Sequence, residues 1–144
     1  MPGAVDTEEQ AILNGVLQDP SYAGYATLWI GLSSTTPVEA GTGATEPSTG
    51  SYARVSTAAA DWSAASGTAP AVKTNTATKT FPTATADWVA GADLTYFGLW
   101  DASTAGNLKW FGLLTTAKPV LNGDTASFAP GSLILKFGDP GDTY

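Results

Sequence analysis

The sequence predicts an all-β protein, an antiparallel β-sandwich or jelly-roll-like domain with one short N-terminal α-helix. Three observations lead there. The 144 residues include 16 glycines and 9 prolines among long stretches of Ala, Thr and Ser, a mixture that favours short strands and many turns over a helical bundle. In the segment LTYFGLWDASTAGNLKWFGLLT (94–115), Leu94, Tyr96, Trp100, Leu108, Trp110 and Leu114 fall on alternate positions of two runs, the period a pleated strand requires. Hydrophobic residues make up 43% of the chain, enough for a packed interior and too many for a disordered one. A single domain of this length buries roughly 68–70% of the surface its unfolded chain exposes. We divide it into a helical arm (1–20), a sandwich domain (21–138) and a tail (139–144).

The helix is expected from about Thr7 to Leu17. Asp6 precedes it as an N-cap with Glu9 three residues on, acids favour the positive end of the helix dipole, and Gln18-Asp19-Pro20 stops it. Ile12 and Val16, and Leu13 and Leu17, form two i,i+4 pairs that we place on one face. A helix of about three turns is marginal alone and must dock, on its own sandwich or on a neighbouring subunit. Residues 25–33 alternate Leu28, Ile30 and Leu32 with Thr27, Trp29 and Gly31 and read as the first strand. Ser34 to Gly50, rich in Thr, Pro and Gly, reads as a long exposed loop, a kind of segment that often contacts a partner. Tyr52 to Val55 resumes as a short strand, and an exposed Glu46–Arg54 pair across the loop would contribute about 0–1 kcal/mol.

Ser63 to Thr74 reads as loop and Thr76 to Phe81 as strand, between two copies of a short pattern, Thr57-Ala-Ala-Ala-Asp61-Trp62 and Thr83-Ala-Thr-Ala-Asp87-Trp88. A second pattern, aromatic-apolar-Gly-Leu, recurs at Trp29–Leu32, Tyr96–Leu99 and Trp110–Leu113; a glycine inside a strand marks a bulge or a close approach, here by neighbouring rings. Residues 94–115 form the central hairpin, turned by Asp101 to Asn107. Its other parity, Phe97, Leu99, Phe111 and Leu113, is also apolar, so both faces need cover: a second sheet on one side and a partner subunit on the other. Asn122-Gly123 signals a turn, and Thr125–Phe128 with Ser132–Phe137 reads as a further strand pair. The total is seven or eight short strands.

The chemistry-bearing residues are sparse. Net charge is −7 and the six cations are scattered, which disfavours nucleic acid as a partner. Without histidine or cysteine the chain has no Ser-His-Asp arrangement, no thiolate and no His-based metal site, and no phosphate-binding glycine motif is present. Most of the aspartates sit at turn or cap positions, so we read no enzyme and no cofactor. Asp139 and Asp142 supply two carboxylates, too few for a Ca²⁺ site of six to eight oxygens. Trp62, Trp88, Trp100 and Trp110 are read as core or interface, with sugar-stacking platforms as the alternative. The N-terminus lacks a basic start and an apolar core, and no apolar run approaches the roughly 18–20 residues of a membrane span, so no membrane partner and folding in the cytosol are expected.

With the leading helix, TLWIGLSSTTP (27–37), ATEPSTGSYARV (44–55), TFPTATADW (80–88), YFGLWDASTAGNL (96–108) and NGDTASFAPGSL (122–133) in view, the chain resembles a family of small tailed-bacteriophage virion proteins. Trp100 stands where other members often have Tyr. The resemblance implies no cofactor and no reaction. It implies a non-enzymatic virion structural protein, first a capsid decoration or cement protein and second a tail or tail-fibre component. A carbohydrate-binding module is the alternative of a different class. Self-association is expected from the two apolar faces of the hairpin; the resemblance implies that it is a homotrimer, in contact with the major capsid protein or other virion proteins. The contact residues expected from the sequence are Ile12, Leu13, Val16 and Leu17 on the helix and Pro37, Glu46 and Pro47 in the loop.

Overall fold

The computed structural model describes residues 3–17, 24–67 and 71–137. Its elements run β1 (Gly3–Ala4), α1 (Asp6–Leu17), β2 (Thr27–Ser33), β3 (Val55–Ala58), β4 (Ala71–Thr74), β5 (Lys79–Thr80), β6 (Leu94–Trp100), β7 (Leu108–Lys118), β8 (Ser127–Phe128) and β9 (Ile134–Phe137). The all-β class with one N-terminal helix is as the sequence predicts. A five-stranded antiparallel sheet, ordered β1-β7-β6-β2-β3, is joined by two ladders, β4-β9 and β5-β8. The expected hairpin β6-β7 lies inside this sheet, with register breaks at Leu94/Tyr96 and Leu99/Trp100. The second break matters most, because it turns Leu108 to the face of Trp100 and Phe111, opposite Leu99 and Trp110.

One face carries the main core. Ile30, Leu32, Leu94, Phe97 and Leu99 from β2 and β6 meet Phe81, Ala84, Trp88, Val120 and Leu133 from the covering layer. Rings link the layers: Phe81 lies 5.9 Å from Trp88 and 6.2 Å from Phe128, which in turn sits 6.2 Å from Phe97. The cover is built from the two short ladders and the segments between them, tied by Asn75. That side chain is 2% exposed; its Nδ2 donates to the carbonyls of Ala77 and Ala129 and its Oδ1 accepts from the Leu133 amide. A buried amide with all these bonds satisfied fixes one arrangement of the cover. The other face holds a smaller cluster of Val5, Trp100, Leu108 and Phe111, with Ala44 packed against it. We expected a partner subunit here; the chain's own start and its 34–50 segment supply this cover.

Several local expectations change for identifiable reasons. The 34–50 segment is folded onto the domain. The Thr45 amide donates to Ser33 Oγ at 2.9 Å, the Ser34 amide to the Thr45 carbonyl at 3.0 Å, Thr35 Oγ1 to the Gly43 carbonyl at 2.6 Å and Thr36 Oγ1 to the Tyr96 hydroxyl at 3.0 Å. Its small hydroxyl side chains, which have little apolar surface to bury, act by bonding the backbone locally. The strand expected over 52–55 begins at Val55, and that expected over 76–81 is reduced to Lys79–Thr80, while Ala71–Thr74, expected as loop, pairs with β9. Residues 125–128 and 132–137 do not pair together; each finds an earlier strand instead. Asn122 and Gly123 do form a turn, with Gly123 at φ 91. The helix starts at Asp6, so Val5 precedes it and accepts the Glu8 and Glu9 amides through its carbonyl. The stop at 18–20 and the tail 139–144, with Asp139 and Asp142, lie outside the described residues.

Candidate functional site

Gly31 and Gly98 are direct partners across β2 and β6 and together make a flat floor on the smaller face of the sheet. The Trp100 indole lies on that floor. A Cβ at Gly98 would stand 2.6 Å from the indole, and one at Gly31 would stand 2.7 Å from it, so both positions are glycine for want of space. The expectation that these glycines make room for rings holds at these two positions. Above the indole sits the Arg54 guanidinium, 4.2 Å from the ring centroid, in cation–π geometry. Arg54 also grips Glu46 with two nitrogens: Nε lies 3.0 Å and 3.1 Å from the two carboxylate oxygens, and Nη2 binds Oε2. Its Nη1 donates to the carbonyls of Ala102 and Ala105, both at 2.7 Å.

This arrangement joins four segments that are distant in sequence. The Tyr52 hydroxyl donates to Glu46 Oε1 at 2.7 Å and accepts from the Leu32 amide at 2.8 Å. Burial, followed by the nearby Glu46 carboxylate, holds the Tyr52 hydroxyl well above the usual phenol range, so it is a neutral donor at any physiological pH. The Arg54 and Glu46 side chains are 8% and 20% exposed, which corrects the exposed pair expected from the sequence. A partly buried, two-point carboxylate–guanidinium contact is stronger and more directional than a surface ion pair. The turn it clamps is closed from within by Asp101, which accepts from the Asn107 amide at 2.7 Å and from Asn107 Nδ2 at 3.0 Å. Ala105 adopts φ 51, a left-handed conformation that an alanine holds at a cost and that the Arg54 bond to its carbonyl secures.

A second polar cluster anchors the helix. Glu8 is fully buried; its Oε2 accepts from the Tyr25 hydroxyl at 2.6 Å and lies 3.8 Å from Lys109 Nζ, which also sits 3.5 Å from Asp101. Burial opposes the Lys109 charge, but the Tyr25 hydroxyl with Asp101 and Glu8 outweighs it, and the ammonium titrates above its ordinary value. The inward side of α1 is therefore Glu8, Ala11, Ile12 and Gly15, at the three- and four-residue spacing of one helix face. Glu8 escaped the sequence reading because, as one of three acids in a first helical turn, it looks like a solvated dipole partner.

The expected contact residues do not form one patch. Ile12 is half-buried on the inward side, whereas Leu13 and Leu17 are 60% and 75% exposed on the outward side; the Val16 side chain is outside the described residues. Pro37 and Pro47 are buried within their own domain, and Glu46 is engaged by Arg54 and Tyr52. Of the tryptophans weighed as stacking platforms, Trp88 and Trp100 are buried, at 3% and 5% exposed, while Trp62 and Trp110 line an apolar groove of about 290 Å³. Among the described residues no three acidic side chains converge on a possible metal position, and no helix is long and apolar enough to cross a membrane. The site is thus a set of clamps on a sheet, suited to holding a shape.

A comparison of the sequence with curated proteins returns no match. A family model described as "Podophage GP4 fiber I protein gp80" matches residues 3–136, from β1 into β9, and so covers the sheet, both of its covers and the Arg54 clamp. The virion family expected from the TLWIGLSSTTP and YFGLWDASTAGNL motifs is thereby identified: the chain belongs to the family of the podophage GP4 fiber I protein gp80, and is a structural protein of a phage virion.

Proposed function

We propose that the protein is a non-enzymatic structural component of a phage tail fibre, assembled in the host cytoplasm and working as a homo-oligomer of three-fold order. The observation that carries this reading is the family match over residues 3–136, whose description names a fibre protein. The chemistry of the domain is consistent with it. The buried polar groups described above, Arg54, Glu46, Tyr52, Glu8 and Asn75, are bonded to one another or to backbone, which fixes shape and leaves none poised as a reactive group. Its further partners are other virion proteins.

Gold-labelled antibody against the chain, imaged on purified virions by negative stain, tests the assignment. Label confined to the tail is expected. Label on the capsid lattice would instead establish the capsid-decoration role that the sequence resemblance put first, and unlabelled virions would remove the protein from the particle. Light scattering of the purified chain at micromolar concentration addresses the oligomer: three times the chain mass is expected, and a monomer contradicts stable self-association.

A further inference from the structure

Two apolar features lie exposed on opposite faces of the central sheet. The first is the outward ridge of α1. Asp6, Glu9, Leu13 and Leu17 follow one another at three- or four-residue intervals and so stack along one side of the helix, acids first and leucines after. The second is the groove of about 290 Å³ between the main sheet and the β4-β9 ladder, walled by Leu28, Trp62, Val72, Trp110, Leu135 and Phe137 and including Lys73 and Lys136. Phe137 is 53% exposed at its end. The groove is slightly smaller than the roughly 300–1,000 Å³ typical of small-molecule pockets, a size that suits one or two inserted side chains.

The charges match as the shapes do. In a chain of net charge −7 with six cations, two of the six stand at this groove, while the helix ridge leads with two carboxylates. The two features cannot meet within one chain. Lys109, which faces Glu8 of α1, and Trp110, which walls the groove, are consecutive residues of β7, and consecutive strand residues project to opposite faces.

We propose that they meet between copies: the Leu13/Leu17 ridge of one chain seats in the groove of the next, with Asp6 and Glu9 directed towards Lys73. The inference rests on the self-association proposed above and names its surfaces. Because ridge and groove are different patches, the contact is head to tail, and it closes into a ring or extends as a filament according to the rotation between copies. A ridge of two leucines is small beside the roughly 1,000 Å² that a stable isolated interface needs, so closure of the ring, which makes each contact support the others, is what gives the assembly its strength.

The chain has no cysteine, so single introduced thiols report the contact cleanly. Leu17 and Lys73 are both exposed, and Leu17→Cys and Lys73→Cys should each fold as the native chain does, checked by circular dichroism. The two variants are mixed and mildly oxidised. A mixed Leu17→Cys/Lys73→Cys disulfide in excess over either homodimer, and over an Asn122→Cys control, is the expected result. Predominant Leu17→Cys homodimers would mean helix packed on helix and would overturn the proposal, as would cross-linking no greater than the control. Independently, Lys73→Glu should weaken association about fivefold, and mixing with Glu9→Lys should restore it. If the native chain associates by light scattering but these probes stay silent, this interface is wrong and self-association stands; if the native chain is monomeric, both fail.

Discussion

At Arg54 three kinds of interaction converge on one guanidinium: a two-point bond to Glu46, a ring face at Trp100 and two turn carbonyls at Ala102 and Ala105. Removing it leaves the Glu46 carboxylate without its charged partner, so Arg54→Met is expected to cost about 3–5 kcal/mol in urea unfolding. Arg54→Lys should recover little of this, because an ammonium cannot reproduce the planar fork or its stacking on the indole. At Gly98 the problem is space: an added methyl would stand 2.6 Å from the Trp100 ring and from a Leu108 methyl, and Gly98→Ala should cost about 1–3 kcal/mol. Asn122→Ala, in an exposed turn, serves as a control expected to stay within about 0.5 kcal/mol. The sequence revealed part of this site. The aromatic-x-Gly-Leu repeat marked the glycines as sites of close approach, and Glu46 and Arg54 were paired from their spacing. Their burial was not legible, since it depends on a long-range approach of the 101–107 turn that no local pattern records.

Among the elements, the helix and the 34–50 segment show best how local reading succeeds and fails. The extent of α1 was readable from its acids and its apolar spacing, but its orientation was not. Leucines at positions 13 and 17 suggested the buried face, whereas the buried Glu8, with Tyr25 and Lys109, turns the helix so that those leucines face outward. An ion-bonded anchor can override an amphipathic pattern where the pattern is weak. The 34–50 segment makes the complementary point: a composition with little to pack can still be ordered, through hydroxyl and backbone hydrogen bonds. Where it meets the helix, the Asp6 amide donates to the Glu39 carbonyl at 2.9 Å. Burial, then the Glu9 and Asp6 carboxylates, raises the Glu39 carboxyl above its ordinary value. A raised carboxyl means the folded state holds that proton more tightly than the unfolded state does. Its contribution to stability is therefore present below the ordinary carboxylate range and lost as pH rises through the folded-state value. Glu39→Gln should accordingly raise Tm at pH 7 by about 1–2 °C, an advantage that shrinks as the pH falls towards 4 and disappears below it, followed by thermal melts across that range.

For the whole molecule, the fold class and the virion family were both legible, for different reasons. Period-two runs and turn residues determine an antiparallel β-architecture locally, and the ordered motifs from TLWIGLSSTTP to NGDTASFAPGSL identify a lineage. Strand partners were less accessible: β8 and β9 follow each other in the chain yet pair with β5 and β4, a choice made by the core around Phe81, Leu133 and Asn75. The resulting domain uses its charged and aromatic side chains to hold one shape, as suits a structural protein of a virion. Its place in that particle is tested most directly by disrupting purified virions so that heads and tails separate by sedimentation, then probing both fractions with antibody. The account predicts that the chain travels with the tails; recovery with the DNA-emptied heads, or absence from both, would contradict it.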